Sequence, residues 1–581
     1  MEKDNADKLE TMRHSAAHVM AEAVQSLFPG TRFGIGPAIE DGFYYDFELP
    51  RPLSPDDLPV IEGKMRKIIA ANVPFTREEM TKEEARKLFA AQPYKLELID
   101  EIEDEKVGIY RQGDFVDLCR GPHVGAAGEI KAFQLTSTAG AYWRGNEHNT
   151  MLQRIYGIAF NSQPELEEYL KLQEEIRKRD HRKIGKDLDL FVFSELIGKG
   201  LPIFTEKGSI IRRELERFVV DEELKRGYKH IYTPELANVE LYKTSGHYPY
   251  YKDTMYPVMK VDEEELILRP MTCPHHFQYY ASKPRSYREL PFRIAELAKQ
   301  FRYEKSGELL GLTRVRLFCL ADSHIICQKD KAVGELNQVL DLIEYVALVL
   351  GYKPGENYRY RLSLGDREDT KKYYKDDASW DYAENVLREV LIQRKANFFE
   401  VGNEAAFYGP KIDIQMKNVA GKENTAFTVQ YDFVMPKRFK LAYIDADGKE
   451  KEPIVIHRSS IGAIERTMAF LIEHYAGAFP TWLCPVQVKI LPIADRHLGY
   501  ARKLEAELKG RGVRVEVDDR SERVNQKIRQ AQLEKVPYML VVGDKEAADG
   551  SVAVRRRSGE QTTRPFADFA AGLAAEITNR T

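Results

Sequence analysis

Three soft metal-binding groups stand far apart in this chain of 581 residues. Cys273 lies in Arg-Pro-Met-Thr-Cys-Pro-His-His, His324 closes an alternating run, and His457 sits within residues 454–458. One thiolate and two imidazoles could give three Zn²⁺ ligands and leave a coordination position open. That is the make-up of a working site rather than of a zinc finger, whose ligands come in close pairs. A second group is N-terminal. His14 and His18 are four residues apart, so they share one face of a helix, and Asp117, Cys119 and His123 follow in Asp-Leu-Cys-Arg-Gly-Pro-His. Ligand chemistry alone would let this group bind zinc as well.

A third constellation suits a nucleotide. Phe301-Arg302-Tyr303-Glu304, a loop through Gly307 and Gly311, and a run from Arg314 to Cys327 read as two joined strands. Alternation along the second would put Arg314, Arg316, Phe318, Leu320, Asp322 and His324 on one face. Arginines there would meet phosphates, and an aromatic would stack on a base. Ile461 to Arg466 then opens a helix whose first N–H groups and Arg466 add positive potential.

These residues need elements to hold them, and the pattern divides into α+β and α/β regions. Residues 1–160 begin with a helix-like stretch from His14 to Leu27, closed by Pro29-Gly30. A charged connecting helix is expected within 161–185. Residues 186–484 carry a long helix over 209–226 and β-rich runs at 265–269, 298–304, 314–327, 411–416, 427–433 and 454–458. That order favours a largely antiparallel sheet covered by helices. Residues 485–581 alternate strand and helix, as a compact α/β domain does.

Composition bounds the rest. Hydrophobic residues make up 43% and charged residues 31%, the balance of a globular protein. No apolar run approaches the ~20 residues that span a membrane, and the N-terminus lacks an apolar signal core. Five cysteines fit a reducing cytoplasm better than a disulfide framework. Net charge is −4, but from Pro485 onward 18 Lys and Arg oppose 14 Asp and Glu. A basic terminal module on an acidic body suits a phosphate backbone.

The strand ending in Pro234, the Phe-Arg-x-Glu hairpin and the Gly-x-x-Glu-Arg helix together resemble the signature motifs of class II aminoacyl-tRNA synthetases. Met-x-Cys-Pro, Asp322-x-His324, Tyr408-Gly-Pro-Lys411, Thr428-Val-Gln430 and His457-Arg458 narrow the resemblance to the threonyl-tRNA synthetase family, over nearly the whole chain. The resemblance implies ATP with Mg²⁺, one Zn²⁺ on Cys273, His324 and His457, L-threonine, tRNA(Thr) and a homodimer. It implies that Arg302 holds the α-phosphate and the amino-acid carboxylate, Glu304 the adenine or the tRNA end, and Arg466 the γ-phosphate. Phe318 would stack on adenine, Arg314 would join the catalytic set, and Lys411 would lie near the phosphate. Asp322, Tyr408 and Gln430 would receive threonine. Two positions depart from the family pattern: Leu320 replaces a usual glutamine, and Ala463 a common serine.

A site built around a hydroxyl rejects valine strongly, whereas serine lacks only a methyl worth ~1–3 kcal/mol. A correction site is therefore expected. The N-terminal group resembles the editing motifs shared by threonyl- and alanyl-tRNA synthetases. That implies metal-free hydrolysis of Ser-tRNA by His14, His18, Asp117, Cys119 and His123. The C-terminal domain resembles the anticodon-binding domain of class IIa synthetases, with Glu546 and Arg555 as base readers, the 521–527 segment nearby, and Arg556 and Arg557 on phosphate. The ubiquitin-like domain carried by many bacterial members is not expected ahead of His14. Competing readings are a prolyl- or seryl-type synthetase and a silent tRNA-binding paralogue.

Overall fold

The computed structural model describes residues 2–581, with side chains from residue 7 onward. The chain divides into two compact units, one up to Glu174 and one from Glu175.

The first unit is built on helix Glu2–Leu27, whose Ala16, Ala17, Met20, Ala21 and Val24 are fully buried. Alanines let the helix lie close on a five-stranded antiparallel sheet (Arg32–Phe33, Ala38–Ile39, Gly42–Glu48, Ala132–Tyr142, Met151–Phe160). Helix Asp57–Ala71 packs beside it through Ile61, Met65 and Ile68, which fall on one helical stripe. A smaller sheet (Phe75–Thr81, Lys106–Gln112, Phe115–Leu118) carries the loop with Cys119 and His123.

The second unit centres on an eight-stranded sheet. Its spatial order is Lys229–His230, Phe292–Phe301, Leu317–Cys327, Ile454–Ala463, Glu423–Asp432, Lys411–Lys417, Tyr358–Ser363 and Phe398–Val401. Only the two outermost pairs are parallel. Strand Ile454–Ala463 is buried along nearly its whole length, as a central strand covered on both faces must be. Helix Glu206–Lys225 starts earlier than its apolar spacing indicates, because the Thr205 hydroxyl accepts the Gly208 N–H at 3.2 Å and caps it. The sheet and its helices share one apolar core.

Within this unit, residues 485–581 fold around an apolar cluster of their own, with Val488, Ile490, Leu504, Leu540 and Phe569. Strands Val515–Val517, Val488–Pro492 and Tyr538–Val542 run parallel; Ser551–Arg556 and Gln561–Pro565 are added antiparallel.

Three expected boundaries move. The hairpin strand is Phe292–Phe301, six residues earlier than its sequence pattern marks, and its partner begins at Leu317. Arg302, Glu304, Arg314 and Arg316 therefore lie in the connecting loop, where strand alternation no longer governs them. The 454 strand runs on to Ala463 and the next helix starts at Ile464 rather than Ile461.

Candidate active site

Ladder register assembles the first site. His324 is the Cα partner of His457, His457 of Gln430, and Gln430 of Lys411, a row across four adjacent strands. Side chains in such a row share a face, about 4.5–5.5 Å apart at Cβ. Cys273, the first residue of helix Cys273–Ala281, is brought against this row. The ligand atoms of Cys273, His324 and His457 all lie within 4.8 Å of one another, and all three residues are buried.

The surroundings fix both imidazoles, with tautomers assigned from their partners. His457 Nε2 donates to Asp432 Oδ2 at 2.7 Å, which leaves its Nδ1 bare. His276 Nε2 lies 3.3 Å from Glu296 Oε2, and a carboxylate can only accept. With Nε2 turned to that carboxylate, His276 Nδ1 is placed to accept from His324 Nδ1, 2.8 Å away, which leaves the His324 Nε2 lone pair free. Metal sites are held by such outer partners. Burial pushes the His324 imidazole far below its ordinary value and the Cys273 thiol far above. Two imidazoles and a buried thiol that ionises only when a cation compensates it are a donor set that fits Zn²⁺.

A cavity of 570 Å³ opens over this face, lined by Asp322, Tyr408, Gln430, Arg302, Phe318 and Arg466 among others. Gln300 Nε2 donates to Asp322 Oδ2 at 3.1 Å and lies 2.9 Å from Thr272 Oγ1, so two residues not anticipated from sequence aim the carboxylate. Burial raises the Asp322 carboxyl. The Tyr408 hydroxyl donates to Gln430, and the Tyr408 ring stacks on His457 at 4.9 Å.

Arg302 and Arg466 face the same cavity, and no carboxylate among the described residues pairs with either guanidinium. Burial lowers both, and for Arg466 nearby Arg302 and Arg314 lower it further. The Arg302 guanidinium lies over the Phe318 ring at 5.1 Å. Arg466 donates to the carbonyls of Thr313 and Thr425. Arg314 pairs with Glu304 at 2.8 Å. Lys411 is held by Asp413 at 3.0 Å. Leu320 lines the cavity where a polar side chain is usual in the family that the sequence resembles, and Ala463 lines it too. Arg316 is a correction: it lies in the loop, donates to the Glu304 carbonyl at 3.0 Å, and does not line the cavity.

Gly462 makes the turn from strand to helix. Its φ is +72°, and a Cβ there would stand 2.5 Å from the Ala426 carbonyl oxygen. The ladder slips at this point, Leu320 pairing with Ala463 and Asp322 with Ser459. Glu465 locks the following helix to the sheet by accepting the Cys319 N–H at 2.9 Å and pairing with Arg212 at 2.7 Å.

The first unit holds the second site. Cys119 Sγ is 3.3 Å from His14 Nε2 and 3.3 Å from His123 Nε2. Asp117, buried, accepts from Tyr45 OH at 2.6 Å, pairs with Lys95 at 2.5 Å, and lies 3.5 Å from His18 Nε2. Tyr45 and Lys95 have no sequence signal: one is an apolar-face strand residue and the other a lysine of helix Pro93–Glu101, 2% exposed. Burial lowers His14, His18 and His123 and pushes the Cys119 thiol up to about 11.

In residues 485–581 the expected readers behave differently. Glu546 accepts the Gly543 N–H at 2.9 Å and caps its own helix, Asp544–Asp549. Arg555 keeps a buried Nε without a partner. Arg557 donates to the carbonyls of Phe479 at 2.5 Å and Lys535 at 3.2 Å. Arg556 lies over Tyr538 at 5.3 Å. Lys527 is buried and donates to the carbonyls of Pro492 and Asp518.

Residues 256–475 match the class II core domain of tRNA synthetases (G, H, P, S and T). Residues 487–576 match an anticodon-binding domain, and 107–156 the second additional domain of threonyl and alanyl tRNA synthetases. The chain is 52% identical over 575 residues to the threonine–tRNA ligase of Staphylococcus carnosus (strain TM300), covering 98% of this chain and 88% of that one. It is 50% identical over 581 residues to that of Geobacillus sp. (strain WCH70), covering 99% and 90%. A crystal structure of the RNA-binding domain of threonyl-tRNA synthetase from Cryptosporidium parvum Iowa II superposes with a TM-score of 0.65 at 34% identity, covering 68% of this chain and 98% of that one.

Proposed function

This chain belongs to the threonine–tRNA ligase family, and we propose from that premise how its own residues carry out threonine activation, transfer to tRNA(Thr) and hydrolysis of Ser-tRNA(Thr). One observation carries the reading. Cys273, His324 and His457 converge within 4.8 Å, in the cavity that also holds Asp322 and the unpaired Arg302 and Arg466.

Cys273, His324 and His457 would hold Zn²⁺, which when bound would offer open Lewis-acid positions to the amino and hydroxyl groups of the substrate. Asp322, aimed by Gln300, receives the hydroxyl, and Tyr408 with Gln430 closes the pocket. Arg302 binds the carboxylate and the α-phosphate of ATP, and Arg466 the γ-phosphate with its Mg²⁺. A carboxylate oxygen then attacks the α-phosphorus, the bond to the bridging oxygen breaks, and pyrophosphate leaves. Positioning and fixed positive charge supply most of this catalysis. Phe318, beneath Arg302, is placed to stack on the base, and Glu304 orients Arg314. In the first unit, Asp117 orients His18, and the His14, Cys119 and His123 group places the water that cleaves the seryl ester. Arg555, with its unpartnered Nε, is the better candidate for a base reader; Glu546 would have to leave its cap.

Tyr232, 94% exposed, and Leu236 leave apolar surface at the first motif, which supports a homodimer through that segment. No helix among the described residues is long and apolar enough to cross a membrane, and a cytoplasmic setting fits free thiols such as Cys119.

The test is ATP–pyrophosphate exchange with threonine, serine, valine and proline, run beside a zinc assay. Exchange with threonine, weaker exchange with serine and none with valine are expected, and Cys273→Ala should lose zinc and exchange together. Full exchange by zinc-free protein overturns the reading.

A further inference from the structure

Asp322 stands close to the place of a fourth metal ligand without occupying it. Its Oδ1 lies 3.9 Å from His324 Nε2, the nitrogen left with a free lone pair. Zinc–nitrogen and zinc–oxygen bonds of about 2.0–2.2 Å in a tetrahedron put two such ligand atoms roughly 3.4 Å apart. Oδ1 is therefore roughly half an ångström outside a ligand's place beside His324. The ligand atoms that gather within 4.8 Å are nevertheless those of Cys273, His324 and His457, and Asp322 stays outside their cluster. The restraint acts on its other oxygen. Asp322 Oδ2 accepts from Gln300 Nε2 at 3.1 Å, and the same nitrogen gives its second hydrogen to Thr272 Oγ1 at 2.9 Å. A carboxylate can only accept, so the amide is oriented and both of its N–H bonds are committed. Gln300 and Thr272 are buried, and the Thr272 side chain makes no cap bond to the helix that Cys273 starts. The carboxamide is thus pinned between Asp322 and the residue next to Cys273.

We propose that Gln300, backed by Thr272, keeps the Asp322 carboxylate off the metal and so holds open the coordination position that the substrate hydroxyl needs. This rests on the reading that Cys273, His324 and His457 hold zinc. A carboxylate is itself a zinc ligand, and a fourth protein ligand closes the tetrahedron as in structural sites. With Oδ2 anchored, Asp322 cannot turn to the metal without giving up a buried hydrogen bond and stranding a Gln300 N–H, which costs about 1–3 kcal/mol. Oδ1 stays on the side of the metal ligands and remains an acceptor for the hydroxyl. Gln300 is a positioning residue, because it acts through Asp322. The assignment also reverses a usual sign. Losing an outer partner of a metal site typically weakens metal binding 10–100-fold. Losing Gln300 strengthens it, because the freed Asp322 joins the ligands.

The experiment uses the full chain in its zinc and cobalt forms. Gln300→Met, close in size and without a donor, should retain zinc against a chelator about 10-fold more strongly than wild type. Thr272→Val, which frees one arm of the amide, should shift retention the same way by less. Gln300→Met/Asp322→Ala should lose the gain. In the cobalt protein, threonine should shift the visible d–d bands of wild type and leave those of Gln300→Met unchanged. In exchange, Gln300→Met should raise KM for threonine and keep that for ATP. Circular dichroism checks folding, and Thr272→Val decides alone if Gln300→Met fails to fold. Retention unchanged or weakened in both variants, or a gain that survives in the double variant, overturns the proposal. Cobalt bands of Gln300→Met that still answer to threonine overturn it too, with the zinc reading left standing. A wild type that binds no zinc overturns the zinc reading, and this proposal with it.

Discussion

His324 and His457 are Cα partners on adjacent antiparallel strands, and their rings stand 4.6 Å apart and nearly perpendicular. Residues separated by more than a hundred positions become neighbours because the hairpin strand and the central strand pair in this register from Asp322 to Cys327. A slip of one residue would send one imidazole to the opposite face.

The support behind that pair can be tested without touching a ligand. His276→Ala removes the acceptor that holds the His324 Nδ1 proton, and Glu296→Gln loosens His276 in turn. Outer partners of this kind typically govern 10–100-fold in metal affinity. We expect chelator competition to show weaker zinc retention of about that size for His276→Ala, and a smaller loss for Glu296→Gln. Unchanged retention in both would remove His276 from the site.

Arg302 and Arg466 are unpaired cations in a cavity, kept for a substrate that brings negative charge. Replacing one fixed transition-state donor typically costs 10²–10³ in rate. Arg302→Ala should lower kcat for threonine-dependent exchange by about that factor. Thermal stability should hold or rise slightly, since no ion pair is broken. A variant that loses only KM would reassign Arg302 to ground-state binding.

Lys95 and Asp117 form a buried ion pair in the first unit. Taking away one member strands a charge, which costs about 3–5 kcal/mol. Lys95→Met should destabilise the chain in denaturant and abolish Ser-tRNA hydrolysis, with threonine activation in the second unit largely kept. Removing both charges with Lys95→Met/Asp117→Asn should recover stability but not hydrolysis.

His247 lines the cavity fully buried, and burial brings its pKa down to about 3. Unfolded, it titrates near 6.5. Below 6.5 the unfolded chain takes up a proton that the folded one refuses, so this residue makes stability fall with pH by ~1.4 kcal/mol per unit until about 3. Above 6.5 it contributes no slope. His247→Gln should flatten unfolding free energy between pH 6.5 and 5 by that amount. An identical slope in the variant would mean that other groups carry the dependence.

Residue types and short spacings marked the N-terminal cluster and the order of elements, whereas Cys273, His324 and His457, far apart in the chain, were grouped through the resemblance to the synthetase family. His14 and His18 lie one helical turn apart, and Phe318 to His324 alternate, so local periodicity already set their shared faces. The helix at 524–533 and the strand at 538–542 also read directly from their apolar patterns. What remained hidden depends on partners distant in the chain. Ladder register joined His324 to His457, the hairpin's true end at Phe301 turned Arg316 away, and Glu546 proved to be committed to its own helix cap. Lys95, Tyr45, His276 and Gln300 carry no local signature at all. A buried polar side chain takes its role from the atom it must satisfy, and only the folded chain brings that atom within 3 Å or so.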